Sequence, residues 1–180
     1  CGMCMLQFLQ PVPLLHVHCC CADCRQGRRW AASMGGPPMQ QAVTMVYYFA
    51  NDLAPLAPEV LSRLYRVKLR DEGKTTRLVT NCCHSILAID HPYYDQNVVS
   101  VHSDACDLVA GHLAPLSRIF SDGWVAEEDG DMPPSTARLE DSDAMWVKFA
   151  TIIKSPVRNA RGVRLQDIFA RLPPVTILGL

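Results

Sequence analysis

The residues best suited to chemistry in this chain are its cysteines, nine in 180 residues and unevenly placed. Eight stand at positions 1, 4, 19, 20, 21, 24, 82 and 83, while Cys106 stands apart. The densest run is His18-Cys19-Cys20-Cys21-Ala22-Asp23-Cys24-Arg25, in which Cys19, Cys21 and Cys24 make a C-x-C-x-x-C pattern. A C-x-x-C turn lets two sulfurs face one zinc ion at about 2.3 Å. A cysteine two residues earlier lies on the same side of an extended strand, because strand side chains alternate. The pattern can thus offer three thiolates to one zinc and leave a fourth position for a thiol, a water or a carbonyl oxygen. Zinc lowers the pKa of a bound thiol and keeps it ionised near neutral pH. Cys20, between the three, turns to the other side and reads as a bystander.

A disulfide framework is the competing reading. An odd cysteine count leaves one thiol over, and neighbours such as Cys19, Cys20 and Cys21 do not easily bridge one another. Close cysteine pairs are the usual way to supply thiolates to zinc in a reducing compartment. Metal is therefore the preferred reading, with a cytoplasmic location to match. His16 and His18 read as strand residues rather than ligands, since the thiolates suffice. Cys106 reads as a small buried apolar residue. Arg25 has two readings, a contact to an anionic ligand group such as a carboxylate, or a surface charge. Tyr47, Tyr48, Tyr93 and Tyr94 read as core or pocket walls.

The elements that must position these groups follow from patterning. Hydrophobic residues are 49 % of the chain and charged residues 19 %, enough for a packed core. A net charge of −1 lacks the basic excess that gripping phosphates requires, so no nucleic-acid partner is expected. No apolar run approaches the roughly 20 residues of a membrane span. The chain begins with Cys1 rather than Met, which leads us to expect a fragment or a processed product.

Residues 1–116 read mainly as short strands. Alternating apolar and polar residues predict a hairpin over 64–79, turning at Asp71-Glu72-Gly73-Lys74. Residues 43–49 and 97–101 are further strand candidates. Residues 117–144 are read as an acidic linker, with eight acidic residues against one arginine between 121 and 144. Residues 145–180 read as a helical basic tail. Met145, Trp146, Phe149, Ile152 and Ile153 share one helical face, and Leu165, Ile168, Phe169 and Leu172 share another. The tail is expected to pack on the body or on a second copy, with a membrane surface as the lesser alternative.

The cysteine motifs resemble those of the glutathione-dependent formaldehyde-activating enzymes and their relative, centromere protein V. The residues that carry the resemblance are Cys1-Gly2-Met3-Cys4, the Cys19–Arg25 run, and Asn81-Cys82-Cys83-His84-Ser85-Ile86-Leu87, with Val98-Val99-Ser100-Val101 as a closing strand. It covers residues 1 to about 110, and the middle motif is its most specific part. The first pair is C-x-x-C where the family has C-x-C, and the last pair is adjacent where the family has C-x-x-C. The resemblance implies a mainly β, tent-like zinc-binding fold of small sheets, here with a C-terminal helical extension. It implies two zinc sites. One is structural, from Cys1, Cys4, Cys82 and Cys83; with its last pair adjacent, this site is expected to be distorted, to recruit His84, or to be empty. The other is reactive, from Cys19, Cys21 and Cys24, and takes glutathione or its adduct. The implied activity is that of a carbon–sulfur lyase acting on a glutathione–aldehyde adduct. The rival expectations are a non-enzymatic zinc module used in assembly and a thiol-handling redox protein. A homo-oligomer formed through the tail is a further expectation.

Overall fold

The computed structural model describes residues 2–39, 43–106, 115–135 and 143–180. Its strands are β1 (Leu15–Cys19), β2 (Thr44–Ala50), β3 (Leu64–Lys68), β4 (Thr76–Thr80), β5 (Ile86–Asp90), β6 (Val98–His102), β7 (Arg118–Ile119) and β8 (Thr176–Ile177). The helices are α1 (Ala22–Ser33), α2 (Pro58–Leu61), α3 (Ala126–Asp129), α4 (Asp143–Ile153) and α5 (Leu165–Ala170). The fold is mainly β with C-terminal helices, as expected. The strands form one sheet in the order β7-β1-β2-β6-β5-β4-β3-β8. The expected hairpin is the antiparallel β3–β4 pair, with Leu64 opposite Thr80 and Val67 opposite Arg77. The other two expected strands are β2 and β6, which pair with each other. Two four-stranded halves meet at β5–β6, where Ile89 stands opposite Ser100.

Period-two alternation gives the sheet two buried faces. On one, Phe49, Leu78, Val99 and Val101 pack against Leu165, Ile168 and Phe169 of α5. On the other, Leu15, Val17, Val46, Tyr48 and Val98 pack against Met145, Phe149 and Ile153 of α4. The helical stripe read between Met145 and Ile153 is thus spent on the chain's own sheet, and so is that of α5. Helix α1 covers the same face further along, with Ala31 against Val67, Val79, Ile86 and Ile89. Sequence patterning did not reveal α1, because its buried residues are Arg25, Gly27, Arg28 and Ala31 and no apolar stripe marks it.

The segment read as a linker begins inside the sheet. Arg118 and Ile119 pair in parallel with β1, and Ile119 is fully buried. The acidic residues start only at Asp122. Residues 136–142 lie outside the described residues.

A polar hub holds the C-terminal return in place. Asp52 is buried, and its carboxylate accepts the backbone N–H of Arg161 at 3.0 Å and of Gly162 at 2.6 Å. Its other oxygen accepts Gln10 Nε2 at 3.1 Å. Asn51 Oδ1 accepts the Leu165 N–H at 2.8 Å, capping the start of α5. Leu53 bridges both Phe8 and Val163. Gly162 passes so close that a Cβ there would strike the Leu53 carbonyl, which is backbone and cannot swing away. Gly162→Ala should therefore cost about 2 kcal/mol or more in urea unfolding, at the high end for single changes. A loss below about 0.5 kcal/mol, the usual size of a surface change, would show that the hub is not a tight joint.

Candidate metal centre and its pocket

The three cysteines of the dense run meet where β1 ends and α1 begins. Cys19 is the last residue of β1, Cys21 is the N-cap of α1, and Cys24 lies in its first turn. The C-x-x-C turn is thus a helix start. Cys21 Sγ accepts the Cys24 backbone N–H at 3.4 Å, as a capping oxygen would. Cys19 Sγ and Cys21 Sγ are 3.3 Å apart, and all three sulfurs lie within 4.8 Å of one another. Thiolates at about 2.3 Å around one tetrahedral ion are about 3.8 Å apart, so the donor set fits a thiophilic metal with little movement. Among the described residues this is the one group of three such ligand atoms.

Electrostatics favour charge on one of these sulfurs. Hydrogen bonds from the Cys19 and Cys24 thiols, the Cys24 backbone N–H and nearby Arg77 hold the Cys21 thiol down at about 3 against the pull of burial. Cys19 is pushed well up, first by its hydrogen bond to Cys21, then by that to Cys24 and by burial. Cys24 is drawn down by Cys19 but driven up further by Cys21 and by burial. The metal-free cluster is thus one thiolate solvated by two thiols. A metal ion replaces the two protons with a single cation that serves all three sulfurs. The N-terminus of α1 adds its partial positive charge.

The thiols form the floor of a pocket of about 560 Å³ over the α4 face of the sheet. Its walls include Tyr48 of β2, Tyr93 and Tyr94 of the 3-10 turn after β5, Phe120 beyond β7, and Trp146 and Phe149 of α4. Three of the four tyrosines read as core or pocket wall are therefore wall. Arg77 and His91 also line it, and sequence reading singled out neither. Arg77 is 1 % exposed and donates from Nη2 to the Asp23 carbonyl at 2.9 Å. His91 Nδ1 accepts the Tyr93 backbone N–H at 3.0 Å, which leaves the neutral ring's proton on Nε2. Burial lowers the His91 pKa, so the neutral ring is the form present near pH 7.

Arg25 has another place. Its guanidinium donates to the Cys20 carbonyl and, at 2.9 Å, to the Gly123 carbonyl, and lies 5.1 Å from the Trp124 ring. It is buried and does not line the pocket. It braces the β1–α1 corner against the segment after β7. Cys20 is fully buried beside the cluster but not part of it, as alternation predicts. His16 and His18 sit in β1 as expected.

The outer cysteines converge more loosely. Cys82 Sγ and Cys83 Sγ are 3.9 Å apart, and Cys4 hydrogen-bonds to Cys82. Burial, then Cys82, raises the Cys4 pKa. Burial would raise that of Cys83 too, but the Ser85 and Thr80 hydroxyls, each 3.2 Å away, bring it to about 6. Cys1 lies outside the described residues. His84 turns from this group at φ 47°, and its Nδ1 meets the Tyr65 hydroxyl at 2.8 Å. Comparison with protein-family models, with curated proteins and with solved structures found no significant match.

If the inner cluster is the metal centre, elemental analysis after purification without chelator should find bound metal. Cys24→Ala should lose that equivalent, and Cys20→Ala should keep it despite some loss of stability. Equal metal loss from the two variants would show that proximity in sequence, not this geometry, determines binding.

Proposed function

We propose that Cys19, Cys21 and Cys24 hold one zinc ion, and that the chain acts in its pocket as a carbon–sulfur lyase on a thiol–aldehyde adduct. The supporting observation is that the three sulfurs stand on the floor of an open pocket, with no fourth ligand beside them among the described residues. The resemblance of the cysteine motifs to the glutathione-dependent formaldehyde-activating family points to the same chemistry, with glutathione as the thiol. Cys4, Cys82 and Cys83, with Cys1, form the second, structural set in this reading. When bound, zinc supplies a Lewis-acid position that accepts a sulfur or oxygen donor and favours its anionic form.

The protein's own groups then have definable tasks. The aromatic walls exclude water from the reacting sulfur. Arg77 places a fixed positive charge behind the thiolates. His91 Nε2–H is a neutral donor for the aldehyde oxygen or the adduct hydroxyl. In the forming direction a carbon–sulfur bond is made and the carbonyl π bond opens. The thiol proton leaves to water, and the new hydroxyl takes one from water. Cleavage runs the same steps in reverse, so no oxidant is needed.

The test is calorimetry of the zinc-loaded chain with glutathione and with S-hydroxymethylglutathione, on the wild type and on Cys24→Ser. Thiol binding confined to the wild type, with faster adduct interconversion, is expected. His91→Phe should slow interconversion about ten-fold or more while leaving zinc content intact, the low end for a positioned proton donor. Binding without acceleration would leave a zinc module that holds thiols, and no binding of glutathione by the loaded protein would remove glutathione as the thiol.

A further inference from the structure

The pocket above the thiols is built for a ring. Tyr94, Tyr48, Phe149, Trp146 and Phe120 form one continuous aromatic ribbon. Tyr48 meets Tyr94 edge-on at 5.6 Å and Phe149 edge-on at 5.3 Å. Trp146 meets Phe149 at 5.4 Å, and Phe120 meets Trp146 at 5.3 Å. Such tilted pairs leave ring faces and edges for a further aromatic group to join.

Two aromatic side chains at the pocket remain open to solvent. Phe120 holds φ 59° and ψ 36°, a left-handed backbone that a bulky side chain rarely adopts. That strained turn carries its ring to the pocket, yet leaves it 47 % exposed. Tyr93, at the rim, is 40 % exposed. Neither residue lies in the core.

Most polar groups around the cavity are engaged with one another, the exceptions being two guanidinium nitrogens of Arg77 and His91 Nε2. The Tyr94 hydroxyl pairs with Ser100 Oγ at 3.2 Å, and Tyr48 hydrogen-bonds to Tyr94. The Asp23 carboxylate pairs with Arg70, and Arg77 donates to the Asp23 carbonyl. Glutathione carries two carboxylates and an ammonium. This lining offers those three charges one guanidinium, that of Arg77, whose charge Asp23 and the thiols already offset, so most of the water they lose would not be replaced.

Resting on the reading that a thiol takes the open metal position, we propose that the group borne by that thiol is apolar and aromatic. The substrate class is then an aryl- or arylalkylthiol and its adduct with a small aldehyde. The ring lies along the aromatic ribbon while the sulfur reaches the floor. Phe120 and Trp146 set this preference.

The test uses the full zinc-loaded chain, with phenylmethanethiol, ethanethiol and glutathione as probes. Calorimetry gives affinities, and the visible spectrum of the cobalt-substituted protein reports sulfur at the metal. Phenylmethanethiol should bind at least about ten-fold tighter than glutathione or ethanethiol, as burial of one ring implies. Phe120→Ala and Trp146→Leu should each remove most of that advantage while metal content stays unchanged. Because Phe120 is exposed, its variant separates recognition from folding. Glutathione binding as tightly as phenylmethanethiol, or a preference that survives both substitutions, would overturn the aromatic specificity and leave the thiol-adduct reading standing. Failure of all three thiols to alter the cobalt spectrum would overturn that reading itself.

Discussion

The buried guanidinium of Arg77 is the constraint around which this molecule is arranged. A cation withdrawn from water costs several kcal/mol unless negative charge lies close by. Arg77 is 1 % exposed, and its Nε and Nη1 have no hydrogen-bond partner among the described residues. Burial pulls its pKa down, while the Cys24 thiol, Asp23 and the Cys21 thiol pull it up. The thiolates and the guanidinium thus need one another. A divalent ion with three thiolates keeps a single negative charge, which Arg77 offsets. Helix α1 can lie over β4 only because Gly27 has no side chain where the two meet, since a Cβ there would stand 2.8 Å from Arg77 Nε. One strand residue therefore fixes both the seat of the helix and the charge of the site.

The inner and outer cysteines differ in what holds them. Cys19, Cys21 and Cys24 take their positions from a strand end and a helix start. Cys82 and Cys83 lie in the turn between β4 and β5, and Cys4 precedes the first strand. Segments of that kind fix side chains less firmly than a strand end and a helix start do.

Much of the fold could be read directly from residue order. The β3–β4 hairpin, β2, β6 and the two C-terminal helices each bury an apolar face with regular spacing, and regular spacing survives in a bare sequence. The cysteine pattern was equally plain. Helix α1 was hidden because it buries two arginines and a glycine. The pocket was hidden for a different reason. Its walls come from β2, the turn after β5, the end of β7 and α4, and only the sheet order brings these together. Arg77 reads as the polar member of an alternating hairpin, and His91 as a turn residue before Pro92. Arg25 follows the metal motif directly, yet helical rotation carries its side chain to the far side of α1.

Both margins of the sheet end in two-residue parallel strands, β7 beside β1 and β8 beside β3. Each is too short to be stable alone, but each occupies part of the row of N–H and C=O groups that a bare outer strand would offer to another chain. The backbone N–H of Leu178 and of Leu180 reaches the Lys68 and Leu69 carbonyls, continuing that cover past β8. The arrangement is a guard against self-templating. A clip or substitution that frees β8 and the residues after it would leave the thiol cluster, which lies at the other margin, in place. It would also open a ladder along which identical sheets could add to one another, so at the β8 margin colloidal behaviour is separable from chemistry, whereas at the other margin the guard strand β7 runs directly into Phe120 of the pocket.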